Sequence, residues 1–523
     1  MTESLDLLFI HVPKFYNFYR PFGEYMTVNL LPMGTLSLAD LAAQKGYKTK
    51  ILHLGLEWIE KRISSPLAYL KDKEVRVVAI PLHFHPQSYE VMKAAKEIKE
   101  KRPDMTILSG GYTASLFHKE ILSSFPQLDA IIRGDAEVPL IALMNAVKEG
   151  RGWESVPNLS WKRDGKIKEN PLSYVASEAD LDRISYTNLS LLEGKETYIR
   201  YIGMPFVWAK RLSKEENRRH FHLGPPLFPL NIGRGCFGNC SWCGGGAEAQ
   251  KAVNGRKGVV FRSPEAVAKT MAEAVELGYE MFNIAFDPGK EGEKYYLELF
   301  PFLRKKKVRT RVYFESFSLP SERFLREFAD TFILDGSMIA LSPESGDERV
   351  RHRNKTFTYS NEELMRAIFE AENLGIRTDI FFAMGIPGER YSDLAKTSDL
   401  RREIKRRFKN IGRIWCAPIS LEPASPWHLH PEEFGIVSTK QAFADFYRMS
   451  SPDSGGLGYS IPDYMGDGKE LNPQNFEKVL REAKCRDFCS FHPNPVKASD
   501  PFWGRLFCRY MSWRSRGGRE TIR

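Results

Sequence analysis

The sequence predicts an α/β protein made of two parallel-sheet units, and three observations point there. Short apolar runs of strand length alternate with one-sided helical patterns over residues 5–150. The same alternation resumes over residues 228–420. At 523 residues the chain exceeds one ordinary core, so more than one domain is expected. Strands that alternate with helices imply parallel sheets covered on both faces. The expected boundaries are a first domain over 1–150, a linker over 151–225, a second domain over 226–435, and an extension over 436–523 without an assigned fold.

In the first unit, strands are expected at residues 7–12, 50–54, 75–82, 105–109 and 130–133. Helices with one apolar face fill 34–44, 88–100, 114–125 and 138–147. Sheets of this kind bind ligands beyond the carboxyl ends of their strands. Turn-forming residues fall there: 32–34 with Gly34, 81–86, Ser109-Gly110-Gly111, and Gly134 to Glu137. Residues 151–225 are less regular. Two short runs flank Arg163-Asp164-Gly165 and predict a hairpin, and the charged stretch 210–219 reads as a surface loop.

The second unit predicts six strands, at 227–232, 281–286, 311–315, 338–342, 378–384 and 411–418. Its helix over 361–373 opens with Ser360 and has Glu363 three residues on, a capping box. The helix over 265–277 has Ser263 as its cap and Pro264 in its first turn. Six such βα pairs make a partial (βα)6 barrel of the TIM type, whose active site belongs at the carboxyl ends of the strands.

The first barrel strand runs into Gly233-Arg-Gly-Cys236-Phe-Gly-Asn-Cys240-Ser-Trp242-Cys243-Gly-Gly-Gly246. Three thiolates in so short a loop can hold three irons of a cubane and leave the fourth open to another ligand. The surrounding glycines let backbone approach the cluster and donate to its sulfurs. Zinc is the competing reading. It needs a closed set of four ligands, and His220 or His222 would have to supply the missing one.

The spacing Cys-x3-Cys-x2-Cys, with Trp242 before the third cysteine, resembles the signature of the radical S-adenosylmethionine superfamily. The resemblance implies a 4Fe-4S cluster on Cys236, Cys240 and Cys243. The amino and carboxylate groups of S-adenosylmethionine would chelate its open iron. Reduction then releases a 5′-deoxyadenosyl radical. Ser342-Pro-Glu344-Ser345-Gly346 is similar to the family's fourth-strand segment, and Met384-Gly385-Ile-Pro387-Gly388-Glu389 to its fifth-strand motif. Both imply contacts to S-adenosylmethionine, with Trp242 near the nucleoside. Where the family often has Gly-Gly-Glu after the second strand, this chain has Phe286-Asp287-Pro288-Gly289, so either Asp287 takes over the contact to the amino group or that contact is lost.

The N-terminal unit resembles the cobalamin-binding domains fused to such enzymes. That likeness rests on Pro32-Met-Gly34 and the helix after it, on Leu108-Ser109-Gly110-Gly111-Tyr112, and on Arg133-Gly134-Asp135-Ala136-Glu137. It implies a Rossmann-like, flavodoxin-like domain holding cobalamin, with Gly34, Ser109, Gly110, Gly111, Gly134 and Glu137 around it. The lower face would meet the loop Leu82-His83-Phe84-His85. No histidine has the Asp-x-His-x-x-Gly surroundings of other cobalamin proteins, so no cobalt ligand of that kind is expected.

Together the two resemblances imply a cobalamin-dependent radical enzyme that methylates an unactivated carbon of a small-molecule or peptide substrate. An external one-electron donor such as flavodoxin or ferredoxin would serve it. A non-methylating rearrangement, oxidation or cyclisation is the alternative within enzymes. A corrinoid or cluster carrier without turnover is the alternative outside them.

Composition narrows the partners. Hydrophobic residues at 42% and charged residues at 27% describe a globular chain. No apolar run reaches the roughly 18 residues of a membrane span. The N-terminus lacks the layout of a secretory signal, so a cytoplasmic protein is expected. The net charge of +10 comes from runs such as Lys305-Lys306-Lys307, which read as solvated faces rather than a nucleic-acid surface. Seven cysteines without a signal sequence argue against a disulfide framework. Cys485 and Cys489 read as packing or pocket lining.

Overall fold

A computed structural model describes residues 3–14, 30–61, 63–201, 225–287, 289, 292–419, 421–435, 437–438, 440–452 and 464–465. The charged stretch 210–219, His220, His222, Pro288, Cys485 and Cys489 lie outside the described residues.

The first sheet holds β1 (Glu3–His11), β2 (Thr49–His53), β3 (Lys73–Pro81), β4 (Thr106–Gly110) and β5 (Ala130–Ile132). These run parallel in the order β2-β1-β3-β4-β5, the flavodoxin-like order, whose ligand crevice opens where strand order reverses. The expected hairpin forms as β6 (Leu159–Arg163) and β7 (Lys166–Glu169). Asp164 and Gly165 turn it with φ of +52° and +72°, the two left-handed residues that a two-residue hairpin loop prefers. It does not belong to a linker, however. β6 pairs antiparallel with β5 and extends the sheet to seven strands, and Arg133 ties it down by donating to Asn158 O, Asn170 O and Glu169.

Residues 176–198 are likewise part of the fold. Ile184, Tyr186, Leu189, Leu192 and Tyr198 are buried in one apolar cluster that also holds Phe9 of the first sheet and Phe228 and Met271 of the second unit. Tyr198 Oη accepts from Leu31 N–H at 3.0 Å. The stretch expected as a linker therefore fills the seam between the domains.

In the second unit β8 (Leu227–Pro229) precedes a small antiparallel pair, β9 (Gly233–Arg234) and β10 (Val260–Phe261). The main sheet continues with β11 (Met281–Ile284), β12 (Arg311–Ser316), β13 (Met338–Glu344), β14 (Arg377–Met384) and β15 (Ile411–Pro418). All six strands run parallel in chain order, and β8 and β15 do not pair with each other among the described residues. This is the open, partial barrel that six βα pairs predict. Ser360 and Glu363 form the expected capping box, and Ser263 caps the helix Pro264–Glu276. Beyond the barrel, the helix Phe443–Ser450 returns to the first domain. Phe443 and Phe446 are buried with Ile80, Val91 and Phe117 on that domain's outer face. No described helix is long and apolar enough to cross a membrane.

Candidate cofactor and active site

The cysteine loop leaves β9 through Gly235. Its φ of +99° disfavours any other residue, and an added Cβ would stand 2.3 Å from Gly258 O. Cys236, Cys240 and Cys243 follow as free, half-buried thiols. Gly238 N–H donates to Cys236 Sγ and Gly245 N–H to Cys243 Sγ, each at 3.3 Å. Such bonds stabilise sulfur-centred negative charge. Burial pushes all three thiols up, Cys243 to about 12, so thiolates here need a metal to hold them. Among the described residues no three Cys, His, Asp or Glu side chains converge as the ligands of one ion do. Thiolates on different irons of a cubane stand apart, so the loop fits a cluster better than zinc.

Asn354 anchors the loop to the rest of the site. Ser241 N–H donates to Asn354 O and Ser241 Oγ to Asn354 Oδ1, while Asn354 Nδ2 donates to Pro387 O at 2.9 Å. One side chain thus fixes the cysteine loop against the turn after β14. Trp242 lies on that turn's side, packed with Ile386 and Trp427 in a small apolar cluster. Gly385 takes φ of +79°, and its N–H donates to Glu389 Oε2 at 2.8 Å. At the end of β13 a register shift turns Glu344 to φ of +63°. Burial raises the Glu344 carboxyl to about 7. Ser345 is fully buried, and its Oγ accepts from Asp347 N–H.

Sequence reasoning missed Lys355. Its side chain is buried and donates to Ser342 O, with Glu344 Oε1 at 3.9 Å. Its charge also acts on Cys240, which puts a cation beside the thiolates. Nothing periodic in Asn354-Lys355-Thr356 marks it.

Asp287 has a structural task of its own. Its carboxylate accepts from Phe317 N–H and Ser318 N–H at 2.8 Å, from Ser318 Oγ at 3.0 Å and from Gly289 N–H at 3.1 Å. Four donors meet the acceptor capacity of a carboxylate. Asp287 therefore fastens the loops after β11 and β12, with Oδ1 taken up by three donors and Oδ2 accepting from Gly289 N–H and sharing the Ser318 hydroxyl.

A cavity of about 700 Å³ lies between the carboxyl edge of the first sheet and the barrel, within the range that holds organic ligands. Gly34, His83, Ser109, Gly110, Gly111, Gly134 and Glu137 line it from one side. Leu82 does not: it is fully buried in the apolar layer behind the edge. Ser109 Oγ is already committed to Ile80 O at 2.8 Å. Gly111 has φ of +95°, and an added Cβ would stand 3.0 Å from the His83 backbone. Tyr112 buries an unpartnered hydroxyl in the same wall. Burial first and the Cys243 charge second push its pKa up, which places this wall within electrostatic reach of the cysteine loop.

Glu137 and its neighbour Asp135 are not free. Arg234, two residues before Cys236, pairs with Asp135 Oδ1 at 2.7 Å and Glu137 Oε1 at 2.5 Å. Asp135 Oδ2 accepts from Arg256 and from Ala176 N–H. The loop expected at the corrinoid is thereby bolted to the loop that carries the cysteines.

The barrel side of the cavity adds residues that sequence reasoning did not single out. Asn283 Nδ2 donates to Glu315 Oε1 at 2.8 Å, burial raises the Glu315 pKa, and Asn231 keeps a buried Oδ1 without a partner. The available signal was a polar residue inside an otherwise apolar strand.

Two family models match the chain: the B12 binding domain over residues 24–144 and the Radical SAM superfamily over 230–400. An anaerobic magnesium-protoporphyrin IX monomethyl ester cyclase of Rubrivivax gelatinosus is 26% identical over 245 residues, 46% of this chain and 38% of that protein. The uncharacterized methyltransferase PH0819 of Pyrococcus horikoshii is 30% identical over 84 residues, 16% of this chain and 18% of that protein. The matched segments thus span well under half of these relatives. Among solved structures, the radical S-adenosylmethionine methyltransferase TsrM of Kitasatospora setae, with cobalamin and a 4Fe-4S cluster bound, superposes with a TM-score of 0.63 at 14% identity, covering 96% of this chain and 90% of that one. The cobalamin-dependent radical enzyme OxsB gives 0.55 at 15% identity, over 93% and 62%. The chain therefore belongs to the radical S-adenosylmethionine superfamily and carries a B12-binding domain, which makes its cofactors a 4Fe-4S cluster, S-adenosylmethionine and cobalamin.

Proposed function

We propose that this protein methylates an unactivated carbon of a small-molecule or peptide substrate. One observation carries the reading: the glycine-lined edge of the B12-binding domain and the loop leading to Cys236 wall the same cavity. The cysteine loop that leaves this wall would hold the cluster with S-adenosylmethionine, which would supply a hydrogen-abstracting radical, and the corrinoid in the cavity would supply methyl transfer.

The chain's own residues then have distinct tasks. Cys236, Cys240 and Cys243 hold the cluster, and Gly238 and Gly245 donate to Cys236 Sγ and Cys243 Sγ. Lys355 offsets the cluster's negative charge from inside the protein. Trp242, Gly385, Pro387 and the backbone around Glu344 and Ser345 border S-adenosylmethionine, with Asn354 fixing their spacing. Gly34, Gly110, Gly111 and Gly134 border the corrinoid; Gly34 leaves open space, while Gly110, Gly111 and Gly134 let the edge pack closely on Ile132 O, the His83 backbone and Asn254. Asn231, Asn283 and Glu315 face the substrate and orient it by hydrogen bonds in a water-poor site. An external one-electron donor of the flavodoxin or ferredoxin kind and a cytoplasmic setting complete the proposal.

Incubation of the anaerobically reconstituted protein with methyl-labelled S-adenosylmethionine and candidate acceptors is the test. Label in a product, together with deoxyadenosine, is expected, and both disappear in Cys243→Ala. Deoxyadenosine without label transfer overturns methylation and favours the non-methylating branch, the reading to which the cyclase relative lends weight. An absence of deoxyadenosine under reduction would instead favour a carrier without turnover.

A further inference from the structure

His83 follows β3 and enters the cavity from the first domain. Its backbone is fixed. The carbonyl accepts from Thr113 N–H at 3.3 Å and Thr113 Oγ1 at 2.9 Å, and Gly111 abuts its Cα and N. Its ring is held differently. Phe84 meets it edge-on at 4.6 Å between centroids, and neither ring nitrogen bonds a side chain or carbonyl among the described residues.

The imidazole of His83 lines the cavity. It is exposed, yet desolvation alone pushes its pKa down to about 4. Its open surface therefore faces the protein-walled cavity, and the ring is neutral, with one nitrogen lone pair available. The next histidine offers no such lone pair to the cavity. His85 is buried, with Nε2 at 3.6 Å from Glu422, and lies outside the cavity wall.

Neutral imidazole is a good ligand for first-row transition metals. We infer that His83 supplies the axial nitrogen of cobalt on the corrinoid face that rests against the first sheet. The inference rests on the cobalamin reading above and deepens it. The chain lacks an Asp-x-His-x-x-Gly segment, so the ligand comes from the loop after β3, held by Gly111 and Thr113. The opposite face is then the one left open toward the barrel and its cysteine loop.

Electron paramagnetic resonance of the whole chain loaded with cob(II)alamin decides it. The expected spectrum shows nitrogen splitting of the cobalt lines that changes when the protein's histidines carry nitrogen-15. In His83→Ala the protein still binds cobalamin, but no splitting responds to the histidine label. Imidazole added to that variant restores a splitting that histidine labelling does not alter. If the alanine variant fails to fold, His83→Asn takes its place, with circular dichroism as the folding control. Bound cobalamin whose spectrum ignores histidine labelling in the wild type overturns the inference and leaves the cobalamin reading standing. A label-sensitive splitting that survives in both His83 variants overturns it in favour of another histidine. Failure of the wild type to bind cobalamin overturns the underlying reading itself.

Discussion

Glu389 shows how tightly the turn after β14 is built. One carboxylate oxygen accepts from Gly385 N–H and Ile386 N–H, while the other is buried without a partner. Burial lifts its pKa from 4.5 to about 8. The folded protein thus holds a proton that the unfolded chain has released across that interval. Linkage then makes stability fall as pH rises from about 4.5 to about 8. Glu389→Gln keeps an acceptor for both N–H groups and removes the titration. Urea unfolding at several pH values should show a flatter profile for the variant over this interval; equal slopes would refute the assignment. At this scale the sequence was legible wherever chemistry was local. The three cysteines sit within eight consecutive positions and declare themselves. Asp287 did not, because its partners Phe317 and Ser318 arrive from a loop some thirty positions on.

Strands, helices and their caps were readable because their causes lie within a few residues. Apolar alternation, Ser263 and the Ser360–Glu363 box each landed where the structure has them. Pairing between distant elements was not readable. The hairpin β6–β7 was expected from its turn residues, but its attachment to β5 depends on an edge left free by the rest of the sheet. The Arg234 network belongs to this scale too, since its partners lie 97 and 99 positions earlier. Removing one member leaves buried charge uncompensated, which costs about 3–5 kcal/mol. Arg234→Ala should lose stability of that order in denaturant titrations, and a loss typical of an exposed arginine would contradict the role assigned. Acid provides a second check. Burial alone would raise Asp135, but Arg234 and Arg256 outweigh it and leave its pKa below 3.8. The stability it contributes is present above pH 3.8 and is lost as pH falls through the lower, folded value. Asp135→Asn should remove that acid-side slope.

For the whole molecule, two parallel-sheet units were legible and their mutual packing was not. A linker was expected where Tyr186, Leu189 and Tyr198 in fact complete a core shared by both units. The chain also doubles back after the barrel, so Phe443 and Phe446 seal the outer face of the first domain. Phe446→Ala should cost about 3–5 kcal/mol. Hydrogen exchange should then show lost protection in the helix Ser88–Lys101, which that segment covers; protection changes confined to the barrel would count against the packing described. The Arg234 bolt has a wider consequence. Arg234 stands two residues before Cys236, yet its guanidinium is seated in acids of the other domain. The two cofactor-bearing halves are therefore not interchangeable modules. A chimera that grafts a relative's B12-binding domain onto this barrel must bring an acid pair in register with Arg234, or the two reaction centres lose their common frame.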